Sequence, residues 1–138
     1  MEKYRFLEHT ADAKFQAYGE TLEEAFTNAA SAMFSIMTDT SKVAKKTKKA
    51  IAVDGDDLKS LLVKFLSEFL FLLDAENFLL NSVGDVKITK TSGNYKLKAV
   101  AYGDDAANYE TKGDIKAVTY SDIKVEEKPP MVQVVVDI

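Results

Sequence analysis

His9 is the single imidazole of the sequence, and cysteine is absent. Disulfides, thiolate zinc sites and thiol nucleophiles are thereby excluded, and one chain cannot assemble a two-histidine metal site or an HExxH motif. A Ser-His-Asp triad needs only one histidine, but no Gly-x-Ser-x-Gly elbow accompanies His9. At the end of a strand, the plainer reading of His9 is a hydrogen-bonded turn residue. Carboxylates offer more. Val134-Val135-Val136-Asp137-Ile138 is an apolar strand that closes on an aspartate and on the main-chain carboxylate of Ile138. Strand side chains alternate between faces, whereas that carboxylate belongs to the backbone and can turn toward the same point as the Asp137 side chain. If the last strand lies beside the first turn, Asp12 joins them. Three negative charges around one point favour a hard cation held by oxygen ligands and water. A frayed C-terminus is the competing expectation.

Two other charged segments invite chemistry. Asp54, Asp56 and Asp57 around Gly55 resemble a calcium loop only superficially, because an EF-hand needs its glycine at position six and a glutamate at position twelve. Capping the next helix is the better use of an aspartate there. Lys42, Lys45, Lys46, Lys48 and Lys49 place five positive charges in eight residues. Such a run solvates a loop and discourages pairing at a strand edge; contact with RNA or an acidic partner is the sharper alternative. No aromatic residue is interleaved to stack on bases. With 22 acids against 18 bases the net charge is −4, which argues against a nucleic-acid grip driven by net charge.

The elements that must position these groups follow from periodicity. Tyr4 to Glu8 and Lys14 to Tyr18 read as strands around the turn His9-Thr10-Ala11-Asp12. Thr21-Leu22-Glu23-Glu24 is a capping-box pattern. After it, Leu22, Ala25, Phe26, Ala29, Met33, Phe34 and Met37 share one helical face, with the methionines as core filler. Thr47 to Asp54 alternates as a strand. Leu58 to about Ala75 is an apolar helix interrupted by Lys64 and Glu68, which are spaced to pair across one turn. Val83 to Thr91 and Tyr95 to Tyr102 flank the hairpin signal Thr91-Ser92-Gly93-Asn94. Asp104 to Gly113 reads as a loop, and Ile115 to Val125 pairs with Met131 to Val136. The expected fold class is α+β, a mostly antiparallel sheet with two helices packed on it.

Length and composition agree. At 138 residues, with 46% apolar and 29% charged residues, the chain suits one domain over residues 1–138. No run of about 18 apolar residues reads as a membrane span. Met1-Glu2-Lys3-Tyr4 does not open a signal peptide, so a soluble cytoplasmic protein is expected.

His9-Thr10-Ala11-Asp12, Gly19, Thr21-Leu22-Glu23-Glu24-Ala25-Phe26 and Ala29-Ala30 together resemble the archease family. The strand Leu97 to Gly103, the segment Lys116-Ala117-Val118-Thr119-Tyr120 and the closing Val136-Asp137-Ile138 match that family in the same order. The resemblance implies a small cytosolic accessory protein of RNA processing, not itself an enzyme. Its partner would be the GTP-dependent 3′-phosphate RNA ligase of tRNA splicing, whose guanylylation and repeated turnover it promotes. A chaperone-like role toward a tRNA methyltransferase is the alternative that the resemblance carries. It also implies a divalent cation, calcium, held by Asp12, Asp137 and Ile138, with Lys116 and His9 as further contacts to the ligase or its nucleotide. The chain departs from the family pattern at Ser121, where many relatives carry histidine, and at Met131 and Gln133, where an aromatic is common.

Overall fold

The structure, a computed structural model, describes residues 2–8 and 12–138. In chain order the strands and helices are β1 (Tyr4–Leu7), β2 (Ala13–Tyr18), α1 (Leu22–Ser35), β3 (Thr47–Gly55), α2 (Leu58–Glu76), β4 (Phe78–Thr91), β5 (Asn94–Asp105), β6 (Ala117–Glu127) and β7 (Pro130–Asp137). The α+β architecture expected from the sequence is present, with its antiparallel strands divided between two sheets. One has four strands in the order β1-β2-β7-β6, the other three in the order β3-β5-β4.

The two helices tie the sheets together. α1 packs on β2 and β7 of the larger sheet and on β4 of the smaller, while α2 packs on β3, β4 and β5 and also on β6. Their buried faces carry Phe26, Phe34, Phe65 and Phe69, and the Phe26–Phe65 and Phe34–Phe69 ring centroids lie 5.9 and 6.2 Å apart. Each such buried side chain contributes on the order of 1.5–3 kcal/mol through its removal from water. No helix among the described residues is long and apolar enough to cross a membrane.

Local signals act much as read. The Thr21 hydroxyl accepts from the Glu24 amide at 3.1 Å; the Glu24 carboxylate, however, reaches back to the amide of Glu20. Asp57 caps α2, accepting from the Ser60 amide at 2.8 Å, and this bond holds its carboxyl below the usual carboxylate range. Ser92 and Gly93 form a two-residue hairpin loop, with Gly93 at φ 73° where a side chain would strain the backbone. Lys64 and Glu68, one turn apart on α2, form no ion pair among the described residues.

Four boundaries depart from the sequence reading. α1 ends at Ser35, so Met37, expected on its apolar face, is buried just beyond the helix. β4 starts at Phe78, directly after Asn77 closes α2 in the left-handed conformation, and Phe78, Leu79 and Leu80 are all buried, so the strand opens without the alternation of a half-buried strand. β5 continues to Asp105, so Asp104 is a strand residue rather than the start of a loop. Its buried carboxylate accepts from the Tyr109 hydroxyl at 2.8 Å and from the Asp105 amide, which together hold it below the usual range. β6 starts at Ala117, leaving Lys116 just outside it, and bulges between Thr119 and Lys124.

Candidate functional site

The register of β7 decides what stands at its end. β2 pairs with β7 so that Ala13 faces Val136, and one further step of that register sets Asp12 level with Asp137. On the other side β6 pairs with β7, with Ala117 opposite Asp137. Lys116 donates its main-chain N–H to the Asp137 carbonyl at 2.7 Å, closing the ladder at that end. Asp12, Asp137 and Lys116 thus occupy one end of three adjacent strands, although 125 positions separate the two aspartates in the chain.

Why the chain folds this way is legible in β7. Val132, Val134 and Val136 are buried on the helix-facing side, opposite Ala17, Phe15 and Ala13. A slip of one residue would turn that row outward, so burial pins the register. Lys14, Gln16 and Tyr18 of β2 occupy the other face, opposite Val135, Gln133 and Met131, and by alternation that is the face of Asp137.

A polar chain runs across that face. The Tyr18 hydroxyl donates to Gln16, Gln16 donates to Gln133 at 2.8 Å, and Gln133 donates to the Asp122 carbonyl in the β6 bulge at 2.7 Å. Lys14 pairs with the Asp122 carboxylate at 3.4 Å, and Thr119 donates to the Val135 carbonyl. Gln133 is 3% exposed, so these bonds satisfy a buried amide and hold the bulge against β7. Sequence reading missed this role; a lone glutamine inside a valine run was the available signal.

Of the residues expected to carry chemistry, Asp12 and Asp137 are half-buried, while Lys116 and Ile138 are exposed. The expectation for His9 falls on residues 9–11, which lie outside the described residues. Among the described residues no group of three or more His, Asp or Glu side chains is gathered to hold a metal. The groups expected from the sequence to hold one at the β7 end are two aspartate side chains and the Ile138 main chain. All are oxygen donors, which suit a hard cation of the calcium class rather than a thiophilic metal. A separate cleft of about 550 Å³ lies at the opposite end of the sheet, against Arg5, Tyr18, Pro129, Pro130 and Met131.

Comparison with known proteins points one way. The archease protein family matches residues 4–138. A protein archease of Pyrococcus abyssi is 43% identical over 143 aligned positions, covering 100% of both chains. A protein archease of Methanosarcina mazei is also 43% identical, over 99% of this chain and 97% of that protein. The solution structure of Methanobacterium thermoautotrophicum protein 1598 superimposes with a TM-score of 0.84 at 35% identity, covering 100% of both chains.

Proposed function

The chain belongs to the archease family, and from that premise we propose that it activates the GTP-dependent 3′-phosphate RNA ligase of tRNA splicing. It acts in the cytoplasm as one domain over residues 1–138, and it is an accessory protein rather than an enzyme. Its contribution is to promote guanylylation of the ligase and to allow repeated turnover. Asp12, Asp137 and Ile138 would hold a divalent cation, calcium, at the end of β7. Bound there, such an ion supplies positive charge against the phosphates of a nucleotidyl-transfer site.

The protein's own residues do the positioning. Val132, Val134 and Val136 anchor β7, and the Lys116 N–H bond to the Asp137 carbonyl restrains the strand at its last turn. The Lys116 side chain, exposed beside the carboxylates, is available to the ligase or its nucleotide; for His9 the same role rests on the family motif alone. The observation that carries this reading is the β2–β7 register, which sets Asp12 level with Asp137.

Asp12→Ala and Asp137→Ala each test it. Both should keep the wild-type circular dichroism and lose calorimetric calcium binding together with stimulation of guanylylation by purified ligase. If both variants stimulate like wild type, the site is wrong. Undiminished stimulation in EDTA would instead favour a metal-independent, chaperone-like role, with a tRNA methyltransferase as the alternative client.

A further inference from the structure

The lysine-rich segment before and within β3 does not act as one run. Lys49 pairs with Glu76 on α2, and Lys46 lies toward Asp104. Lys45 and Lys48 belong to a different group, assembled by the three-stranded sheet. Register sets Lys48 opposite Tyr102, and Ala52 opposite Lys98. On the other side Lys98 faces Lys87. The alternate residues of β5, Leu97, Ala99 and Ala101, are buried toward the helices, so these lysines share the open face. Lys45 sits over the Tyr102 ring, 5.6 Å from its centroid. Between them the face is low: Ala50, Val100 and Gly84 form the middle row.

Two features set this face apart from ordinary surface. Lys87 and Lys98 stand directly opposite one another on neighbouring strands, where like charges cost stability. Lys45, Lys48, Lys87 and Lys98 form no ion pair among the described residues. Asp54 stands opposite Lys96, which discounts Lys96, and exposed Asp85 lies in the β4 bulge between Gly84 and Lys87 without an ion pair among the described residues. Four lysines without an ion pair therefore stand on a protein whose net charge is −4, so the remainder is more acidic still and an anion is drawn to this face in particular.

We propose that the open face of the β3-β5-β4 sheet binds the phosphate backbone of single-stranded RNA, through Lys45, Lys48, Lys87 and Lys98, with Tyr102 beside the strand. An acidic protein is the weaker fit, because protein interfaces centre on buried aromatic and arginine anchors and are depleted in lysine. This face has spaced ammonium groups, no arginine and a flat centre, which suits attraction driven by counterion release. The choice of RNA over DNA rests on the ligase reading above; the charge pattern stands without it.

The test is fluorescence anisotropy with a mixed-sequence single-stranded RNA of about 12 nucleotides, titrated with the full chain and no ligase. Four phosphate contacts predict a slope of log affinity against log salt near −2.8, hence a loss of about 50-fold between about 50 and 200 mM salt. Lys87→Ala/Lys98→Ala should halve that slope, reducing the loss to about 7-fold, with unchanged circular dichroism. No RNA binding at low salt, the same slope in the double variant, or tighter binding of polyglutamate or of DNA of the same sequence would each overturn the proposal. Guanylylation of the ligase with GTP and no RNA is measured alongside. If the double variant loses RNA binding yet stimulates like wild type, the face is independent of the β7 end. If wild type binds RNA but never stimulates, the ligase reading fails and the basic face stands.

Discussion

The end of β7 and the open face of the β3-β5-β4 sheet are built by the same device, antiparallel register, with opposite electrical results. At the β7 end, register stacks residues that terminate strands, so Asp12 and Asp137 come level from distant parts of the chain. On the smaller sheet, register lines up residues within strands, so Lys48, Lys98 and Lys87 share a face. Strand ends concentrate charge at a point, as a single ion requires. A strand face spreads charge over several rows about 7 Å apart, as a polyanion requires. Proximity in sequence is a poor guide to either: adjacent Lys48 and Lys49 point to different partners, one to the open face and one to Glu76.

The two regions should come apart under mutation. The largest effect is expected at Gly103 in β5, where an added Cβ would lie 2.0 Å from the Leu79 carbonyl of β4. Gly103→Ala should cost roughly 3 kcal/mol in urea unfolding and weaken RNA binding, while the folded fraction keeps its calcium affinity. Loss of both properties in the folded fraction would show the regions to be coupled. Next is Asp57→Ala, which removes the cap of the helix that packs on both sheets; about 1 kcal/mol should go, and both binding activities of the folded protein should survive. The depressed carboxyl of Asp57 fixes the sign with pH. Its contribution is complete above the ordinary aspartate value of about 3.9 and is lost as pH falls through the lower folded value, so the gap between variant and wild type should narrow in acid. The smallest effect runs the other way. Lys87→Ala/Lys98→Ala relieves a like-charge pair and should raise stability by about 0.2–1 kcal/mol at low salt, shrinking as salt is added. A destabilised double variant would contradict the claim that these lysines stand there at a cost.

How much could be read in advance follows contact range. The α1 face, the Thr21 and Asp57 caps and the Ser92-Gly93 turn depend on residues within about one turn of each other, and all three are present in the structure. The start of β4 was hidden because Phe78, Leu79 and Leu80 are all buried and show no alternation. Asp104 looked like loop because its stabilising partner, Tyr109, lies past the strand end. Gln133 read as a departure from family pattern, yet it bridges Gln16 and the β6 bulge across two strand pairings.

The amino-acid order alone determined the helices, their caps, the hairpins and the cysteine-free, single-histidine chemistry open to the chain. It also identified Asp12 and Asp137 as candidates, the former through a family motif. Tertiary structure alone decided that those aspartates come to one end of the same sheet and that four lysines from three segments form one open surface. The reason is physical. A helix or turn is stabilised by neighbours a few residues away, whereas register across a sheet is chosen by burying one row of side chains against the helices, here Val132, Val134 and Val136 in one sheet and Leu97, Ala99 and Ala101 in the other.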